Sequence, residues 1–249
     1  MKLSEVASNN QFRKLLIYGD PGTGKSCFAI GFPKPMLVLD FDGKINSAAE
    51  FYRGEPWLDD VDVRVMLPAI EDLSVIKALG KDDYDPIDEF ISITQELRKQ
   101  IKDKNLKYKT IVIDSMTTLS NACVKHIIKT NPGIKRARPD QPGLEDYGIL
   151  KREFLRFIPG LLSLPMNVVV TGHIREDKDE VTGAISRNCN TDGSFGKDMP
   201  IYFEEVYRSF VKDGKYLAQT QADYKYACRS QIRGLPKEIN LAYESIKGV

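Results

Sequence analysis

Five short apolar runs punctuate the chain: Lys14–Tyr18 (KLLIY), Met36–Phe41 (MLVLDF), Arg64–Leu67, Thr110–Asp114 (TIVID) and Asn167–Thr171 (NVVVT). They do not alternate apolar with polar residues. Runs of that kind predict strands buried on both faces, hence a mostly parallel sheet covered by helices. Helical spacing fills the gaps at Ile70–Leu79, Pro86–Lys102, Met116–Thr130 and Tyr147–Leu164. Within the second of these, Phe90, Ile91, Leu97 and Ile101 are expected on one apolar face. The pattern changes near the end. Glu205–Lys212 and Tyr216–Thr220 flank Asp213-Gly214, a dipeptide that favours a β-hairpin, and Tyr224–Cys228 predicts one more strand. Two polar stretches, Asn131–Asp146 and Arg175–Pro200, read as long loops, and loops of that length in a compact domain are commonly functional or disordered.

Composition adds bounds rather than detail. A chain of 249 residues, 42% hydrophobic and 29% charged, suits one soluble α/β domain. The net charge of +1 advertises no global basic field, so any nucleic-acid contact has to rest on local patches. The first dozen residues, MKLSEVASNNQF, hold no apolar core of signal-peptide length, and no run approaches a membrane span. Residues 1–11 are expected to be a flexible segment ahead of the domain. Cys27, Cys123, Cys189 and Cys228 are far apart, which argues against structural zinc and for reduced thiols in a cytoplasmic chain.

The stretch Gly19–Ser26 reads GDPGTGKS and fits G-x-x-x-x-G-K-[ST], a loop whose backbone N–H groups wrap nucleotide phosphates. It follows an apolar run and precedes a possible helix start, the context in which a helix N-terminus faces the phosphates. Gly19, Asp20, Pro21, Gly22, Thr23, Gly24, Lys25, Ser26 and Cys27 are therefore assigned to a nucleoside triphosphate. Lys25 is expected at the β- and γ-phosphates, and Ser26 on Mg²⁺. Asp114 ends TIVID and suits the second, acidic position on the metal, although a carboxylate there can equally precede a helix capped by Ser115. Asp40 and Asp42 close MLVLDFDG. One of the two can orient or deprotonate the attacking water, against a plain Asp42-Gly43 turn after the strand. His173 ends NVVVTGH, where a polar group can sense the γ-phosphate, or simply occupy a loop. Lys135, Arg136, Arg138, Arg175, Lys178, Arg187 and Lys197 lie in the two polar stretches, where they can contact nucleic-acid phosphates, with Phe195 stacking on a base. Glu176, Asp177, Asp179, Glu180, Asp192 and Asp198 make a solvated mixed-charge loop the competing reading.

Taken in order, GDPGTGKS, FPKPMLVLDFDG, YKTIVIDSMTTL, EDYGILKREFLRFIPGLLSLPMNVVVTGHIRED and YKYACRSQIRGLPKEI span Phe12 to Ile239. This series resembles the RecA-like P-loop ATPases, and within them the small phage single-strand-annealing (Sak-type) ATP-binding proteins of AAA type. The resemblance implies a single RecA-like domain with ATP lying between adjacent subunits. It implies that Asp42 stands where relatives place a catalytic Glu, and His173 where they carry a Gln or His that links the γ-phosphate to a DNA-binding loop. Segments 131–146 and 174–200 then correspond to two loops facing single-stranded DNA. Lys225 and Arg229 fall where relatives carry cations that enter the neighbour's ATP site, the arginine-finger arrangement.

The expectation is thus a Mg²⁺-dependent ATPase acting on single-stranded DNA in recombination, assembled as a ring or filament. A small-molecule kinase is the enzyme alternative, although the acidic Glu176–Glu180 stretch makes a poor phosphate-binding lid. A nucleotide-dependent scaffold with little turnover is the other, since Asp42 is one methylene shorter than Glu.

Overall fold

A computed structural model describes residues 12–66, 84–183 and 185–247. The expected helix Ile70–Leu79 and the expected flexible segment 1–11 lie outside the described residues. Strands β1 (Lys14–Gly19), β2 (Met36–Asp40), β4 (Thr110–Asp114) and β5 (Asn167–Gly172) form the centre of the sheet. They pair in parallel with β3 (Val61–Val65) and with β8 (Glu205–Lys212). Antiparallel β9 (Lys215–Gln219) and β10 (Glu238–Asn240) complete the order β10-β9-β8-β1-β5-β4-β2-β3. The fold is α/β: a mostly parallel sheet flanked by helices, with an antiparallel C-terminal extension.

The unalternating runs form central strands because both faces are covered. Leu15, Ile17, Val38, Val112 and Val169 pack on one side with Phe28 and Ala29 of helix α1 (Lys25–Ile30). Leu16, Leu37, Ile111, Val168 and Val170 face the other side. There they meet α3 (Pro86–Lys102), α4 (Met116–Thr130) and α5 (Leu144–Leu162). Burial of apolar area at roughly 25 cal/mol per Å² is the main force holding these layers. A short α2 (Asn46–Phe51) follows β2.

Several expectations shift. The third strand, expected at 64–67, starts at Val61 and ends at Val65, an edge strand whose last residues are exposed, and residue 67 lies outside the described residues. On α3, Phe90 and Leu97 are buried, but Ile91 faces solvent. Helix α5 starts at Leu144, inside the stretch read as loop. The stretch 175–200 is structured: β6 (Ile174–Lys178) and β7 (Ile185–Cys189) form an antiparallel ribbon, followed by one helical turn, α6 (Phe195–Asp198). Alternate charges tie the ribbon across its face, with Arg187 bonded to Glu176 at 2.7 Å. Tyr224–Cys228 forms no strand. This segment and Arg229 make only isolated bridges, Tyr226 to Arg187 and Arg229 to Val206.

Candidate active site

The parallel register brings the carboxyl ends of β1, β2, β4 and β5 to one edge of the sheet, where open α/β sheets bind ligands. A cleft of about 450 Å³ opens there, within the size range of small-molecule sites. Residues Pro21–Phe28 line one wall, and Asp42, Asp114 and His173 converge on the same space. Phe51, Tyr52, Tyr216 and Leu241 add apolar and aromatic surface to the lining, with Tyr216 and Leu241 beside Gly24 and the Tyr52 hydroxyl bonded to the Cys27 carbonyl at 3.0 Å. The strand ends therefore unite residues far apart in the chain.

The glycine loop is shaped by two constraints. Gly24 has φ of +83°, a left-handed conformation that L side chains rarely adopt. It precedes α1 without offering a capping side chain, so the first-turn N–H groups are not taken by a side-chain cap. Gly19 is required for a different reason. A Cβ there would lie 2.2 Å from Ser209 Oγ and 2.5 Å from the Ser209 carbonyl oxygen on β8. Gly19→Ala is accordingly expected to lower stability by about 1–3 kcal/mol through overpacking, measured by denaturant unfolding. The Thr23 hydroxyl bridges the Asp20 carbonyl and Ser209 Oγ, both at 2.7 Å, and locks the loop to β8.

Lys25 is buried and donates to the carbonyls of Gly19 at 2.9 Å and Asp20 at 2.8 Å. Burial lowers the pKa of its ammonium, against the opposing pull of Asp114, Asp20 and Asp42. Asp114 is buried too, and burial raises its carboxyl above the usual range despite bonds from the Ser26 and Thr171 hydroxyls. Nearby Asp42 and Asp40 push it further in the same direction. A hydroxyl and a carboxylate held together amid further negative charge are hard oxygen donors, and they fit Mg²⁺. The loop's uncapped amides and Lys25 fit the phosphates of ATP. Asp40 serves neither purpose: its carboxylate accepts from the amides of Lys44 at 3.3 Å and Ile45 at 3.0 Å.

Asp42 points into the cleft. Its Oδ1 accepts from Ser115 Oγ at 2.9 Å and from the Thr118 hydroxyl, while Oδ2 lies 3.5 Å from His173 Nε2. Burial alone would raise this carboxyl, but the bonds from His173, Thr118 and Ser115 outweigh it and hold it at about 2. Among the described residues, His173 Nδ1 is buried without a hydrogen-bond partner. The backbone of His173 is fixed: its amide donates to Thr117 Oγ1 at 3.1 Å, and its carbonyl accepts from Asn190 at 2.8 Å. Ser115 is both the cap of α4, as one reading allowed, and a partner of Asp42.

The remaining expected residues lie elsewhere. Arg136 forms a buried, two-pronged ion pair with Asp146, at 2.9 and 2.6 Å, and holds that carboxyl below its usual range. It ties the 131–143 segment to α5, so a DNA contact from Arg136 is corrected to a structural role. Phe195 is corrected likewise. It is 1% exposed and packs on Phe154 with centroids 5.1 Å apart, which removes it as a stacking platform. Arg229 sits beside the start of β8, and its guanidinium donates to the carbonyls of Phe203 at 2.8 Å and Ile201 at 3.0 Å. Lys225 lies beside Tyr224, with its ammonium 5.1 Å from the ring centroid. Neither enters the cleft of its own chain.

Sequence reasoning missed Thr118, Thr171, Tyr216 and Leu241 at the site. A Ser-x-x-Thr spacing at the start of α4 signals a helix cap, but only strand pairing reveals that both hydroxyls meet Asp42. Among the described residues, no helix is long and apolar enough to cross a membrane. A comparison with curated proteins found no match. Residues 11–230, most of the chain, match the family model described as AAA domain. With a P-loop, an acidic strand end and a parallel sheet around one cleft, the chain belongs to this AAA domain family of P-loop ATPases.

Proposed function

We propose that the chain is a Mg²⁺-dependent ATPase that acts on single-stranded DNA in recombination, by annealing or strand exchange, as a ring or filament. The convergence of Lys25, Ser26, Asp114, Asp42 and His173 on one cleft carries the ATPase reading. Lys25 and the loop amides bind the phosphates, and Ser26 and Asp114 hold the metal. Mg²⁺, when bound, supplies Lewis-acid neutralisation of phosphate charge. Asp42, ionised at neutral pH, accepts a hydrogen bond from the attacking water and orients it. The water oxygen bonds to the γ-phosphorus as the bond to the β–γ bridging oxygen breaks. The electron pair leaves with ADP, and the water's protons end on the released phosphate and in solvent. Phe51 and Tyr216 expose apolar ring surface where a base can stack.

Support for the DNA arm is the ribbon that starts directly after His173 and is tied to it through Asn190 and Thr117. The ribbon and its neighbours carry Arg175, Lys178 and Lys197, and segment 131–143 adds Lys135 and Arg138. Because Arg229 braces its own chain, Lys225 is the better placed of the two cations to serve a neighbour. The test is ATP hydrolysis with and without single-stranded DNA across a salt series. Stimulation at low salt that fades as salt rises is expected from phosphate contacts. A rate indifferent to DNA at every salt concentration contradicts the DNA arm and leaves the ATPase arm standing.

A further inference from the structure

Asp42 reaches the cleft one methylene shorter than a Glu would, and its surroundings compensate for that. Two residues upstream, Asp40 is committed to the amides of Lys44 and Ile45, so it cannot share the task. The amides of Phe41 and Asp42 both donate to the Asp114 carbonyl, which pins this turn to the end of β4. From there the chain enters α4, and the first turn of that helix returns two hydroxyls to a single oxygen of Asp42. Ser115 does double duty: its lone pair accepts the Thr118 amide at 3.5 Å while its proton goes to Asp42 Oδ1. Hydroxyl bonds to a carboxylate are among the stronger hydrogen bonds, and two on one oxygen stop the group from turning about its last bond. Oδ2 is left facing the cleft, where its partner is His173 Nε2 at 3.5 Å, a long contact that leaves room for a further donor on that oxygen.

We propose that Thr118, together with Ser115, is a positioning residue for hydrolysis: the two hydroxyls occupy Oδ1 of Asp42 so that Oδ2 alone is presented to the attacking water. The inference rests on the ATPase reading above. Its energetic logic is orientation. A carboxylate free to rotate presents either oxygen over a range of directions, whereas a held one presents a single acceptor, and displacement of a catalytic group by about 1 Å can cost about a hundredfold in rate.

Thr118→Val removes the donor while keeping the shape, and Thr118→Ser restores it. The valine variant is expected to lower kcat by about ten- to a hundredfold, with KM for ATP and affinity for a fluorescent ATP analogue within about twofold. The serine variant is expected within about threefold of the wild-type kcat. In an Asp42→Asn background, Thr118→Val is expected to cost nothing further, because a residue acting through Asp42 has nothing left to hold. An unchanged kcat in Thr118→Val, an equal loss in Thr118→Ser, a loss confined to KM, or an additive loss in the Asp42→Asn background overturns the proposal. If the wild-type protein releases no phosphate at all, it is the ATPase reading that fails. The hold on Asp42 is then judged from the ¹³C carboxyl signal of labelled Asp42 at a fixed neutral pH. That signal is expected to move in Thr118→Val and to return in Thr118→Ser, and an unmoved signal in both overturns the hold.

Discussion

Replacing Lys25 by Ala is expected to lower kcat/KM for ATP by about a thousandfold or more, the scale of losing a preorganised charge at a developing oxyanion. The reason is local. Lys25 is held against the loop carbonyls of Gly19 and Asp20 and faces Asp20, Asp42 and Asp114, so its charge is aimed before any substrate arrives. Replacement removes the cation and leaves that acidic surface facing the phosphates. Lys25→Met separates the contributions, because it keeps most of the buried stem. Both variants are expected to fail in phosphate release, and the methionine variant is expected to retain more of the wild-type thermal stability. Normal hydrolysis by either variant would refute the site assignment.

Asp114→Asn is expected to lower Mg²⁺-dependent turnover by about a hundredfold or more, since the metal loses its only anionic protein donor in this assignment. A second effect runs the opposite way. Burial and the neighbouring carboxylates raise the Asp114 pKa, so in the metal-free protein its ionised form is disfavoured relative to the unfolded chain. With the folded pKa above the unfolded one, this group's contribution to stability falls as pH rises from the ordinary carboxylate range through the raised value, and stays low above it. Asparagine cannot ionise and avoids that loss. The variant without metal is therefore expected to melt higher than wild type at neutral pH, and added Mg²⁺ is expected to stabilise wild type but not Asp114→Asn. Equal Mg²⁺ stabilisation of both proteins would move the metal away from Asp114. Asp42 behaves differently: it is held at about 2 and stays ionised through the working range, so it adds no acid limb to activity above about pH 4.

The central strands were legible because burial on both faces leaves a plain mark: runs such as TIVID and NVVVT have no polar side to show. The edge strand Val61–Val65 leaves a weaker mark. Its residues alternate and several face solvent, which shifted the expected boundary by three residues at its start. The ribbon of β6 and β7 leaves little, since IREDK and ISRNC reach the core only through the Ile174–Cys189 pair at its base and are otherwise held by cross-strand backbone and charge pairs. Phe195 misled for a related reason: a single aromatic in a polar stretch has no neighbours in sequence to announce burial, and its partners Phe154 and Tyr202 come from other elements.

The site divides in the same way. The glycine loop, Asp114 and Asp42 could be read because each sits at a strand end, a position that sequence marks. Thr118 and Thr171 could not be read as site residues, because their roles depend on which strand lies beside which. The register of β2 on β4 sets Asp40 opposite Asp114, and from that pairing the Asp42 turn lands on the start of α4. Gly19 was legible as a loop glycine, but its reason was not: the constraint comes from Ser209, almost the whole chain away.

In this proposal the cleft hydrolyses ATP rather than merely holding it. Single-turnover hydrolysis of radiolabelled ATP, with enzyme in excess and Mg²⁺ present, tests it most directly in wild type and Asp42→Asn. Wild type is expected to release labelled phosphate in one phase, and Asp42→Asn to do so at least about a hundredfold more slowly while binding nucleotide comparably. Nucleotide retained intact by both proteins, or the same release rate from both, would contradict the account.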